Sequence, residues 1–196
     1  MSVSMEFFFD VASPYSYLAA ARLEALAGSG PAVVWRPFLL GGVFRSTGNR
    51  APALVPAKGR YLFADVRRWA TQDGVPLQWP ALFPINSLVA QRALTAAEAQ
   101  GGQAAVRALA MALYEAYWGR GEDPCSEPVL RSAADAAGLD AAALGAAIVD
   151  PEIKGRLRAV TDEAVARGAF GAPTFFVGEQ MFFGRDRLDW ALDAAQ

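Results

Sequence analysis

The sequence contains no histidine. That absence excludes Ser-His-Asp and Cys-His catalysis, histidine metal sites and imidazole proton shuttling together. Cysteine is nearly absent as well. The single thiol, Cys125, permits neither an internal disulfide nor a thiolate zinc cluster. Its neighbours Glu122, Asp123 and Glu127 are acidic, which raises a thiol pKa, so Cys125 reads as a bystander. Charged residues make up only 19% and sum to a net −2, so nothing points to nucleic acid or a membrane surface as partner. No apolar stretch reaches the ~18 residues of a transmembrane helix. The opening MSVSMEFFFD has no basic region and no long apolar core, so no secretory signal is expected and the expected compartment is the cytoplasm.

What is present is apolar. Hydrophobic residues make up 54% of 196 positions, enough to bury the core of one large domain or two small ones. Met5–Asp10 has the length and aromatic content of a buried strand. Ser13 is a good helix N-cap and Pro14 suits the first helical position, which predicts a helix to about Ala27, stopped by Gly28-Ser29-Gly30. PAVVWRP, closed by Pro37, predicts a second strand and completes a βαβ unit. The Gly- and Pro-rich LLGGVFRSTGNRAPALVPAKG predicts loop with one helical turn.

Helical signals follow almost without interruption. They predict helices over 58–74, from Asn86 or Ser87 to Gly101-Gly102, and over 103–118, with VPLQWPALFP as an extended linker. Further helices are capped by Ser126 and Asp140, and a long one runs from Asp150-Pro151 to Gly168. Strand signals return only in PTFFV and MFF, an antiparallel hairpin turning at Gly178, before a last helix. The order is β-α-β, a helical block, then α-β-β-α.

That order is the one of a thioredoxin-like domain, with residues 1–40 and 150–196 forming the α/β domain and residues 41–149 an inserted helical domain. The strand-to-helix junction where redox members carry Cys-x-x-Cys here reads Ser13-Pro14-Tyr15-Ser16. The step Ala172-Pro173-Thr174 stands where such folds place a cis-proline.

Five segments carry a closer likeness: FFFDVASPYSYLA, WRPFLLGGVFRSTGN, PAKGRYLFADVRRWA, LFPINSLVAQRA and GAFGAPTFFVGEQMFFGRDRLDWA. Taken in order, they resemble the 2-hydroxychromene-2-carboxylate isomerases and the related kappa-class glutathione transferases. The resemblance implies a glutathione-dependent enzyme. Its reaction would interconvert 2-hydroxychromene-2-carboxylate and trans-o-hydroxybenzylidenepyruvate by reversible thiolate conjugate addition, in aromatic hydrocarbon catabolism. It also implies a small aromatic carboxylate as substrate and a homodimer.

The same resemblance implies roles. Ser13 matches the serine facing the glutathione sulfur. Asn49 and Lys58 match positions that hold the tripeptide. Ala172, before the expected cis-Pro173, matches the backbone that pairs with the cysteinyl part like an added strand. Arg185 and Asp186 match the pair receiving the γ-glutamyl end. Arg at 185 departs from the small or polar residues usual in that pattern, so a backbone contribution is what carries over there.

Physical chemistry gives the junction a rationale of its own. A helix N-terminus offers unpaired N–H groups and partial positive charge. In a redox protein these stabilise the protein's own thiolate. A chain without that thiol can use them for a sulfur brought by a cofactor, and with no base nearby the serine does not compete as a nucleophile. Plainer readings stand beside this one. Ser13 and Asp186 suffice as helix caps, Asn49 and Lys58 as solvated loop residues, Tyr15, Tyr17 and Trp69 as core. The glycines of GGVF and GAFG read as turn residues, with no phosphate-binding fingerprint around them. Two other functions compete: a kappa-like glutathione transferase or peroxidase that consumes the thiol, and a non-catalytic thioredoxin-fold binding protein.

Overall fold

A computed structural model describes residues 4–196. Four strands form one mixed sheet in the order β2-β1-β3-β4. The central strand β1 (Met5–Phe9) pairs in parallel with β2 (Val33–Pro37) and antiparallel with β3 (Thr174–Val177). The helix between β1 and β2 is α1 (Pro14–Ala25), so the first unit is the expected crossover. β3 turns through Gly178-Glu179 into β4 (Gln180–Phe183).

The aromatic run of β1 serves both faces of the sheet, because successive strand side chains point to opposite sides. Phe7 and Phe9 face one side and stack 5.1 Å apart, with Phe175 5.3 Å from Phe7 and the Trp35 edge against both. Phe8 faces the other, in contact with Phe38 and Phe176. A strand buried on both faces reads as a continuous apolar run, which is why Phe7-Phe8-Phe9 does not alternate.

On the Phe8 side lie α2 (Leu40–Thr47) and α7 (Pro151–Ala166). The glycine-rich segment at 41–42 is thus a two-turn helix and not a loop with one turn. Gly42 is needed for packing and not for turning: a Cβ there would stand 3.1 Å from the Thr161 side chain of α7. A 3-10 turn at Pro52–Leu54 leads into α3 (Pro56–Asp73), which ends at left-handed Gly74 as expected.

The other side holds α1, the C-terminal α8 (Leu188–Ala194) and much of α4 (Leu88–Tyr114). As expected, α4 is two helical segments that meet at a kink, with non-helical backbone at Gly101 and Gly102, and a π-helical turn, Glu115–Gly119, ends the second. α5 (Glu127–Ala136) and α6 (Ala141–Ala147) pack on α4. Asp140 and Asp150 cap α6 and α7 through their side chains, as read from sequence. Ser126 precedes α5 without such a cap, its hydroxyl donating to Asp123 instead. Leu94, Leu109, Leu113 and Trp118 share one continuous core with Phe7 and Phe175. The fold is thioredoxin-like with helices inserted between β2 and α7. Among the described residues no helix is long and apolar enough to cross a membrane.

Candidate active site

The segment between β1 and α1 is short and held from all sides. Gln91 of α4, wholly buried, donates to the carbonyls of Phe9 and Phe38 at 2.9 Å each and accepts from Val11 N–H at 3.2 Å. Trp118 donates its indole N–H to Val11 O at 2.8 Å. The inserted helices therefore set the entry angle of α1.

Ser13 caps α1, its Oγ accepting from Ser16 N–H at 3.2 Å. The same hydroxyl donates to Ala172 O at 3.0 Å, across 159 residues of sequence. The Ala172-Pro173 peptide is cis, as the sequence led one to expect, and a second cis peptide, Phe83-Pro84, was not anticipated. Among the described residues the N–H of Ala172 meets no protein acceptor. Ser16 is fully buried with no partner for its Oγ, and of the two junction serines only Ser13 lines a cavity.

Ser13, Ala172 and Asn49 share the wall of a cavity of about 380 Å³. Phe44, Leu62, Phe83 and Ile85 make most of the rest apolar, and no Lys or Arg lines it. That size and character suit a small organic ligand. Asn49 hangs at the rim, donating to Phe170 O at 3.0 Å. Gly171 lets the Phe183 ring close the wall, since a Cβ there would lie 2.7 Å from it.

The remaining residues of the expected set lie outside that wall. Lys58 is exposed on the first turn of α3 and, among the described residues, makes no ion pair. Arg185 is buried, its guanidinium held by Asp73 at 2.5 and 3.1 Å and stacked 4.0 Å from the Trp69 ring. Its side chain is thereby committed within the protein. Asp186 lies in a 3-10 turn (Arg185–Arg187) ahead of α8, half-exposed, and accepts from Arg187 at 2.8 Å.

Two cavity residues escaped the sequence reading. Tyr15, expected in the core, is only half-buried and stands in the wall, its hydroxyl donating to Asp65 at 2.7 Å. Burial and that carboxylate push its pKa well above the ordinary phenol range. Asp10 directly follows β1. It is 0% exposed and still lines the cavity. One carboxylate oxygen accepts from Ala12 N–H at 2.9 Å; the other accepts from Leu40 N–H at 2.8 Å and Ser87 Oγ at 2.9 Å. Burial pushes its pKa up and the three donors pull it back. The sequence does not mark this residue as buried, because two of its three partners come from 30 and 77 positions away.

Cys125 lies elsewhere, half-buried, its thiol on Asn86 O at 3.4 Å. Its pKa is raised mainly by burial, with Asp123 adding to it; the acidic neighbours seen in the sequence are the lesser cause.

Comparison with known proteins agrees with this geometry. The DSBA-like thioredoxin domain model matches residues 4–196. The 2-hydroxychromene-2-carboxylate isomerase of Sphingobium xenophagum is 38% identical over 97% of this chain and 96% of its own. The chain belongs to the 2-hydroxychromene-2-carboxylate isomerase family. A solved structure of a 2-hydroxychromene-2-carboxylate isomerase superposes with a TM-score of 0.88 at 31% identity, covering 97% of this chain and 93% of that one. The human kappa 1 glutathione S-transferase is 30% identical over 95% of this chain and 88% of its own. Isomerase family and kappa-class transferases thus share one thioredoxin-like scaffold with this protein.

Proposed function

We propose that this protein is a glutathione-dependent isomerase interconverting 2-hydroxychromene-2-carboxylate and its open-chain trans-benzylidenepyruvate. The observation that carries the reading is the Ser13 hydroxyl, held at a helix N-terminus against Ala172 O, in an apolar cavity whose wall contains no protein thiol. Glutathione would supply a thiolate whose reversible addition makes the reacting double bond single and free to rotate.

The residues fit such a group. Ala172 offers a free N–H and a carbonyl beside it, the pair an extended cysteinyl unit requires. An N–H arriving at Ala172 O would release the Ser13 proton towards sulfur, so one exchange both anchors the tripeptide and turns the hydroxyl. Ser13 and the open end of α1 then stabilise negative charge. Asn49 at the rim and Lys58 beyond it would meet the glycyl end, and Asp186 the α-ammonium. At 185 the backbone N–H is what remains for the ligand, since the carbonyl accepts from Leu188 N–H. The apolar wall formed by Phe44, Leu62 and Phe83 suits an aromatic ring.

Product analysis tests the reading. Purified protein with glutathione and authentic chromene carboxylate should form the trans product while total thiol stays constant. Cys125→Ser should retain full activity, because that thiol stands outside the cavity. The kappa-class likeness favours a second reading, a transferase or peroxidase, and stoichiometric loss of thiol during turnover would select it.

Glutathione should also stabilise the folded protein. At 100 times its dissociation constant the gain is ~2.7 kcal/mol. For a chain of this length that raises the melting temperature by about 5–10 °C. S-methylglutathione should give a smaller shift, because it offers no charge to the end of α1. Equal shifts from both ligands, or none from either, would remove the site.

A further inference from the structure

Asp10 has no role in the function just described, yet it is the one carboxyl among the described residues that is fully buried. It borders the same cavity as Ser13 and Ala172. The groups around it come from every neighbouring element. They are Ala12 N–H ahead of α1, Leu40 N–H of α2, Ser87 ahead of α4, Tyr114 within α4, then Tyr117 and, farther off, Cys125. None is a cation. Tyr114, Tyr117 and Cys125 all have pKa values pushed up, so they stay neutral near pH 7.

This creates a charge problem for any thiol that ionises at Ser13. With Asp10 ionised as well, two negative charges would share a cavity that has no Lys or Arg in its wall. Like charges in such a site disfavour each other strongly. The protein also has no histidine to take the proton. A fully buried carboxylate reached through a hydroxyl is placed to do so.

We infer that Asp10 is the acceptor of the proton released when glutathione ionises in this cavity, with Ser87 as the bridge. The inference rests on the glutathione reading above. The S–H bond breaks and its electron pair stays on sulfur. Ser87 Oγ takes the proton and passes its own to the Asp10 oxygen it already contacts at 2.9 Å. The cavity then carries one negative charge before and after, moved from Asp10 to sulfur. When the thiol leaves, the same path returns the proton.

The consequence is a proton count. Calorimetric titration of glutathione in buffers of different ionisation enthalpy gives protons released per molecule bound, and ultraviolet difference absorbance gives the thiolate formed. In the wild type, thiolate should form with almost no proton released and with little dependence on pH wherever Asp10 is ionised in the free protein. In Asp10→Asn, about one proton should be released per thiolate, and its fraction should rise about tenfold per pH unit below the thiol pKa. Infrared difference spectra of the wild type should gain a carboxylic-acid C=O band with glutathione and not with S-methylglutathione. A simple bracing role for Asp10 would move neither readout. The infrared band and the wild-type proton count decide the matter even if Asp10→Asn does not fold. Thiolate formation with a full proton released and no new band overturns the inference and leaves the glutathione reading standing. Absence of glutathione binding overturns both.

Discussion

Ser13→Ala should lower the isomerisation rate by roughly 10- to 150-fold while leaving a folded protein. The range corresponds to ~1.5–3 kcal/mol for a hydrogen bond to a charged partner, at ~1.4 kcal/mol per tenfold. The stability loss should be smaller, about 1–2 kcal/mol, for a cap that also reaches Ala172 O. Part of the rate loss should come from a raised pKa for the bound thiol, since the remaining helix N-terminus is a weaker anion stabiliser than N-terminus and hydroxyl together. The sign follows directly. A higher thiol pKa leaves less thiolate at neutral pH, so raising the pH should restore part of the activity. A pH–rate profile of both proteins, with thiolate absorbance followed in parallel, makes the comparison. Equal rates and equal thiolate titrations would reduce Ser13 to a helix cap.

Arg185→Ala should destabilise the protein by about 3 kcal/mol, lowering its melting temperature by about 6–12 °C. The reason is placement. Its side chain is 7% exposed and that of Asp73 15%, so removing the guanidinium strands a largely buried carboxylate and strips the face of Trp69. The pair joins the end of α3, within the inserted helices, to the turn before α8. Replacing both partners, as in Asp73→Asn with Arg185→Met, should be milder than Arg185→Ala alone because no charge is left unpaired. Glutathione affinity per folded molecule should be unchanged in Arg185→Ala. Lost affinity at unaltered stability would mean that the side chain serves the ligand and not the scaffold.

The resemblance led to Arg185 as a glutathione position, and the geometry gives its side chain another occupation. Nothing in FGRDR signals that Asp73 waits 112 residues earlier in the chain. The helix at 40–47 was missed for a similar reason. Gly41 and Gly42 disfavour a helix by intrinsic propensity, and only close packing against Thr161 makes a side chain at 42 a liability.

Local order was legible because it rests on short-range physics. Alternation and apolar runs placed all four strands. Ser13-Pro14 and Asp150-Pro151 marked helix starts, and Gly74 marked a stop, since caps and left-handed turns depend on residues a few positions apart. The absence of histidine and of a cysteine pair bounded the chemistry before any coordinate was known. The tertiary structure alone decided that the Ser13 hydroxyl meets Ala172, that Gln91 and Trp118 hold the loop leading to it, and that Asp10 is buried among donors instead of solvated at a strand end. Each of these depends on a contact between residues at least 77 positions apart, and the ionisation of a carboxylate depends on the water and donors around it, which chain folding brings together and sequence spacing does not record.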